Sequence, residues 1–316
     1  MNYGFGVPTR GPLANPADIT TLAREGEALG FAFVFVNDHI VVPRRTDSRY
    51  PYSQSGAWAG GRTGEALELL SLLSYLAGVT TRARLLTSIM VVPYRSPVLA
   101  AKVLATIDVL SGGRLTIGCG TGWMREEFEA IGTAPFAARG AVTDEYLAVF
   151  KTLWTDDAPR FAGEFAAFDA IRFLPKPVQK PHPPLWIGGE SGRAHRRTAA
   201  LGDCWYPIGC NPRQPLDSPE KFAAGRDKLH QAIAAAGRDP AEIGLAYGAV
   251  WYGDGARRDS SDGGRMVFTG EDDEIAADIG RFGELGVNDV MLNFRAEDLN
   301  EMLDLMAHFI DDIAPS

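Results

Sequence analysis

An eight-stranded parallel barrel, (β/α)8, is the fold this sequence predicts, with insertions after strands 2, 4 and 7. Short β-branched or aromatic runs alternate with longer amphipathic stretches from one end of the chain to the other, which is the pattern of repeated βα units. The runs number eight, the count that closes a barrel of the TIM type. A length of 316 residues fits one such unit, so a single domain over 1–316 is expected.

In order, strands are expected over 3–7, 33–36, 84–92, 114–118, 185–188, 204–207, 244–250 and 289–293. Helical patterns fill the intervals at 16–29, 66–77, 98–110, 142–154, 192–201, 219–236, 273–285 and 300–313. Asn15 before Pro16 and Ser218 before Pro219 read as helix starts, because a side-chain oxygen accepts from free amides there and proline suits the first turn. Gly30, Gly78, Gly202, Gly237 and Gly286 stand where helices should end in a left-handed residue. Three stretches break the repeat: 41–64, 155–183 and 252–270. Segments after strands 2 and 7 lie over the working face of a barrel, so the first and third are candidate lids.

Composition narrows the function classes. Hydrophobic residues make up 46% of the chain and charged residues 22%, as in an ordinary globular protein with a sizeable core. A formal net charge of −9 gives no general attraction for nucleic acid or an anionic membrane. Cys119, Cys204 and Cys210 form no C-x-x-C spacing and are read as reduced packing residues. The first dozen residues lack the basic and apolar regions of a signal peptide, and the apolar stretch at 67–79 holds Glu68 and is short for a bilayer span. A soluble cytoplasmic protein is expected.

Working residues of a barrel sit at strand C-termini and just beyond. Asp38-His39 follows strand 2 at once: a histidine beside a carboxylate serves as acid, base or hydrogen-bond donor to a ring carbonyl, or is a buried histidine bonded to backbone. Strand 4 runs into Gly118-Cys119-Gly120-Thr121-Gly122-Trp123, whose alternate glycines allow a ligand close to the backbone or simply make a tight turn. Their spacing is not the dinucleotide fingerprint. Gly188-Gly189-Glu190-Ser191 leads into a helix bearing Arg193, His195, Arg196 and Arg197, either a phosphate cradle at a helix N-terminus or a serine-capped helix with a basic face. The five histidines form no H-x-H or H-x-x-x-H pair, so no metal site is expected, and no serine lies in G-x-S-x-G. A cradle without metal or nucleophile points to a cofactor-bound redox centre.

The run Pro93-Tyr94-Arg95-Ser96-Pro97, then Ala105 through Ser111-Gly112-Gly113-Arg114 to Gly122-Trp123, resembles the luciferase-like monooxygenase superfamily. Pro181-His182-Pro183-Pro184-Leu185-Trp186-Ile187-Gly188-Gly189-Glu190-Ser191, ending at Gly202-Asp203-Cys204-Trp205, does so as well. Asn37-Asp38-His39 with its Arg/Tyr/Pro-rich continuation resembles the F420-dependent branch. The resemblance implies His39 as the catalytic residue, and Asp38 as its neighbour on the deazaflavin ring. It implies a non-prolyl cis bond at Ser88-Ile89 behind that ring, cofactor contacts from Thr121 and Gly122, and phosphate binding by Gly188, Gly189, Glu190 and Ser191. Where the sugar-phosphate dehydrogenase of that branch has a proton-donating glutamate, this chain has Trp123, which turns the expectation toward an apolar or aromatic substrate. The implied activity is F420-dependent hydride transfer to or from a small organic substrate, in a homodimer. An FMN-dependent monooxygenase fed by a partner reductase is the second reading, and a non-catalytic flavin-binding barrel the third.

Overall fold

The computed structural model describes residues 1–61, 64–249 and 256–314. Val250, expected to end strand 7, and the opening residues 252–255 of the third insertion lie outside them. Eight strands form a closed parallel barrel: β1 (Asn2–Gly6), β2 (Phe33–Val36), β3 (Arg84–Val91), β4 (Leu115–Gly120), β7 (Leu185–Gly188), β8 (Cys204–Tyr206), β9 (Gly244–Ala249) and β10 (Asp289–Leu292). A small antiparallel hairpin, β5 (Phe161–Ala162) with β6 (Ala167–Phe168), stands in the insertion after β4. Each barrel strand pairs with its sequence neighbour, and β1 closes the ring on β10. The helices are α1 (Pro16–Leu29), α2 (Leu69–Val79), α3 (Pro97–Leu110), α4 (Arg125–Ile131), α5 (Arg139–Thr155), α6 (Gly192–Leu201), α7 (Pro219–Ala235), α8 (Asp272–Glu284) and α9 (Leu299–His308). Among the described residues no helix is long and apolar enough to cross a membrane.

Strand alternation divides the core in two. In β2, Phe33 and Phe35 join Leu86, Trp186, Tyr206 and Met291 inside the barrel, while Val34 and Val36 join the cluster between strands and helices. The interior has room for these rings because small residues face them: a Cβ on Gly4 would lie 2.4 Å from Met291 Sδ and 2.8 Å from Phe33 Cβ. Phe33 packs on Trp186 at 5.2 Å, and Trp186 on Tyr206 at 5.6 Å. The phenol of Tyr206 reaches Ser88 Oγ at 2.8 Å. An aromatic column thus runs from the barrel floor to the C-terminal end of β3.

The expected caps at Asn15 and Ser218 form, and Gly30, Gly237 and Gly286 are left-handed with φ of 100°, 74° and 87°. Two expected caps do not. Gly78 lies within α2, and Gly202 is extended with φ −88°; a Cβ there would lie 2.7 Å from Ile187, so packing explains this glycine. Helix α2 begins at Leu69 and not at 66, because the Glu68 carboxylate caps it by accepting from the Ser71 amide. Strand β4 runs on to Gly120 through pairing of Cys119 with Met90 and Gly120 with Val91.

Glu27 joins α1 to the approach of β3. Its carboxylate accepts from the amides of Thr81, Arg82 and Ala83 and from the Thr81 hydroxyl. Burial pushes this group up, but those hydrogen bonds outweigh it and hold Glu27 at about 2. A depressed carboxylate contributes stability that is complete above its ordinary value of 4.5 and is lost as pH falls toward 2. Glu27→Ala is expected to cost on the order of 2 to 3 kcal/mol at neutral pH. Urea midpoints of the two proteins should converge as the buffer is taken from pH 6 to about 2; a gap that does not change with pH would show that the charge is irrelevant.

Candidate active site

Strand β2 delivers Asn37, Asp38 and His39 to the C-terminal mouth. Asp38 is buried and fully engaged: Oδ2 accepts from the Val91 amide and from Arg95 Nη1, both at 2.8 Å, and Oδ1 accepts from Arg95 Nη2 at 2.8 Å. Arg95 also reaches Glu68. Burial alone would lower the Arg95 guanidinium, yet Asp38 and Glu68 raise it above its ordinary range. The pair ties the end of β2 to the turn after β3.

His39 is placed differently. Its Nδ1 lies 2.9 Å from Glu127 Oε2, and the side chains are 11% and 0% exposed. Glu127 also accepts from Tyr94 OH at 2.8 Å, the Ile40 amide at 2.7 Å and the Val41 amide at 3.2 Å. Burial pushes Glu127 up, but the hydrogen bond and charge of His39, the Ile40 amide and Tyr94 more than offset it, so the carboxyl stays below its ordinary value and ionised. Tyr94 is driven the other way by burial and by the Glu127 charge, and remains a phenol. A carboxylate only accepts, so His39 Nδ1 carries the hydrogen and Nε2 is left without a hydrogen-bond partner among the described residues. This is the arrangement that presents one imidazole nitrogen for proton transfer while a carboxylate fixes the tautomer.

The insertion after β2 roofs this histidine with aromatic rings. Trp58 lies 4.2 Å from His39 and meets Trp123 edge-on at 5.9 Å; Trp123 meets Tyr50 at 5.2 Å. Arg10, from the turn after β1, lies over the Trp58 ring at 4.9 Å. Burial raises Tyr50 to about 12, so it too remains neutral.

The insertion is fastened to the first turn of α4. Glu127 accepts from the amides of Ile40 and Val41, Glu126 from those of Asp47 and Ser48, and the Arg125 amide donates to Ser48 Oγ. Acidic side chains at a helix N-terminus are favoured by its dipole, which suits α4 to this duty.

At the end of β3 the Ser88-Ile89 peptide is cis, and the pairing with β4 shifts register between Thr87 and Met90. The Ile89 side chain points at the ends of β4 and β7, where only glycine fits: a Cβ on Gly188 would lie 2.2 Å from Ile89 Cδ1, and one on Gly120 3.0 Å from Ile89 Cγ2. Gly122, with φ 78°, turns the chain against Phe128 and Val91, and Thr121 precedes it half-buried. Ser88, Ile89, Thr121, Gly122, Trp123, Gly188 and Gly189 are all half-buried, whereas the strand residues below them are buried. This half-open rim of small residues and backbone fits a planar cofactor.

Beside it, Gly189 has φ 104°, and Ser191 caps α6 by accepting from the Ala194 amide at 3.2 Å. Glu190 turns inward, accepting from the Ile208 amide at 2.9 Å and Asn211 Nδ2 at 2.7 Å; burial raises its carboxyl despite those bonds. What the cradle offers is therefore backbone amide and the helix end, with the Glu190 side chain employed in holding the loop after β8.

The profile of the family described as "Luciferase-like monooxygenase" matches residues 1–254. The chain belongs to the luciferase-like monooxygenase family. An uncharacterized protein from Mycobacterium tuberculosis is 32% identical over 242 residues, covering 74% of this chain and 83% of that protein. An FMNH2-dependent dimethylsulfone monooxygenase of Pseudomonas putida is 34% identical over 206 residues, 65% of this chain and 54% of that one. Among solved structures, an F420-dependent secondary alcohol dehydrogenase in complex with an F420-acetone adduct superimposes with a TM-score of 0.76, at 18% identity and 99% coverage of both chains.

The cis bond expected at Ser88-Ile89 is present, and His39 and its roof gather residues that the sequence did not single out: Glu127, Tyr94, Tyr50, Trp58 and Arg10. Tyr94 stands inside the Pro93–Pro97 run and was assigned no role. For Glu127 the available signal is the Glu126-Glu127 pair just after the Gly122 turn, in a short helix that hydrophobic periodicity does not register.

Proposed function

We propose that this luciferase-like protein is an F420-dependent oxidoreductase that moves a hydride to or from a small, largely apolar substrate such as a ketone, enone or imine. The observation that carries this reading is the His39–Glu127 pair, set under the Tyr50, Trp58 and Trp123 rings at the barrel mouth. When bound, F420 supplies or accepts a hydride at its C5. The rim of Ser88, Ile89, Thr121 and Gly122 would receive its ring, and the backbone of Gly188, Gly189, Glu190 and Ser191 its phosphate. With the ring in its imidazolium form, protonated at both nitrogens, His39 Nε2 would give its proton to the substrate oxygen or nitrogen as the adjoining carbon gains the hydride, leaving the neutral Nδ1–H imidazole; in the opposite direction the bare Nε2 would take that proton back. Glu127 stays ionised and keeps Nδ1–H in place. The aromatic roof orients the substrate and excludes water, which strengthens both interactions.

The relationship to the dimethylsulfone enzyme favours a second reading, an FMN-dependent monooxygenase supplied by a reductase. Fluorescence titration of the purified protein with F420 and with FMN at one salt concentration separates the two. Tight F420 binding with weak FMN binding is the expected result. The reverse order, with oxygen consumed when reduced FMN is supplied, would replace hydride transfer by monooxygenation.

A further inference from the structure

A groove of about 440 Å³ lies between α6 and α7, lined by Gly192, His195, Arg196, Lys228, Gln231 and Glu190 among others. Its charge is unbalanced. Neither Arg196 nor Lys228, both exposed, forms an ion pair or side-chain hydrogen bond with another described residue, whereas Arg95, Arg139 and Arg197 each have a carboxylate or carbonyl. The one acid on its lining, Glu190, has both oxygens occupied by Ile208 and Asn211. Arg196 lies back toward the first residue of α6, its Nη1 3.7 Å from where a Gly192 Cβ would be. The helix dipole at that end adds positive potential.

His195 supplies an independent sign. The residue is 5% exposed, it is among those lining the groove, and its Nε2 is buried without a hydrogen-bond partner among the described residues. Burial, and then the nearby Lys228 charge, lower its pKa and keep the ring neutral, so it brings one N–H and no competing charge. A buried ring nitrogen without a partner is costly unless a ligand or solvent meets it.

We propose that this groove binds a multiply charged oxyanion, phosphate or carboxylate, through Arg196, Lys228, His195 and Gln231. It is distinct from the cradle, which offers backbone at 188–191, whereas this site is made by side chains of two helices. The anion has two possible sources: an acidic extension of the cofactor carried past the cradle, or a free small polyanion. Only the first source rests on the F420 reading.

The test is titration of the whole protein and of the Arg196→Gln/Lys228→Gln double variant with inorganic pyrophosphate, read by calorimetry. Both side chains are exposed, so the unliganded variant should melt with the wild type. The expected result is affinity about tenfold or more weaker in the variant, the loss of two charge-assisted bonds, with the His195 imidazole resonance moving only in the wild type. No pyrophosphate binding, or equal binding by both proteins, overturns the site. Titration with F420 carrying its glutamyl tail and with the tail removed then assigns the source. A variant defect confined to the tailed form places the cofactor's carboxylates in the groove; equal affinity of both proteins for both forms leaves the site to a free anion. Failure of either protein to bind any F420 would remove the hydride-transfer reading and leave the pyrophosphate result standing.

Discussion

Turnover of the His39→Ala protein is expected to fall by about 10² to 10⁴-fold with cofactor affinity nearly unchanged, the usual contribution of a positioned acid or base. The reasoning rests on the ring's two nitrogens. Nδ1 is committed to Glu127 at 2.9 Å, so Nε2 is the only one able to exchange a proton with substrate. Glu127→Gln tests the same pair from behind. An amide oxygen still fits the space but carries no charge, and the NH2 that replaces one oxygen meets donors at either place, Tyr94 and His39 at Oε2 or the Ile40 and Val41 amides at Oε1. Turnover should drop by roughly tenfold or more, and the low-field Nδ1 proton resonance of His39 should be lost from the NMR spectrum. Reduced-cofactor single-turnover rates within twofold of wild type in both variants would remove the pair from the chemistry.

Asp38→Ala should destabilise the fold by about 3 kcal/mol, near the low end for breaking a buried ion pair because Glu68 still faces Arg95. The resemblance implies a place for Asp38 beside the cofactor ring, and its two oxygens also bond Arg95 and the Val91 amide. Removing it leaves a guanidinium short of one partner and the half-buried Val91 amide without this acceptor. Urea unfolding and F420 titration, run on the same preparation, discriminate: a lowered midpoint with a modest change in affinity is expected. An unchanged midpoint with cofactor binding abolished would return Asp38 to the ring.

The barrel was legible because its strands obey a local rule. Runs such as Phe33-Val34-Phe35-Val36 need only apolar, β-branched or aromatic residues in a row, and each is closed by a recognisable turn. Helix ends were less legible. Glycine marks a left-handed cap at Gly30 but relieves a clash with Ile187 at Gly202, and composition does not separate these causes. The site was half legible for a related reason. His39 and the Ser88-Ile89 bulge follow strand ends and can be found by position along one segment. Glu127 meets His39 across 88 residues, and Trp58 reaches it from an insertion with no periodicity, so neither contact has a local signature. Glu190 shows what a motif leaves unsaid: its side chain is engaged with Ile208 and Asn211, which leaves its backbone for the cradle.

The attachment of the β2 insertion to α4 has a consequence for how such proteins diversify. Glu126 and Glu127 grip residues 40, 41, 47 and 48 by their peptide amides. Every amino acid but proline carries that group. Apart from Ser48, whose hydroxyl accepts from the Arg125 amide, the tether is therefore indifferent to which side chains the loop displays, and Tyr50 or Trp58 could be exchanged for other residues without loosening the anchorage. The rings over His39 can therefore change by mutation in one loop while the two glutamates, the histidine that Glu127 holds and the barrel beneath stay as they are.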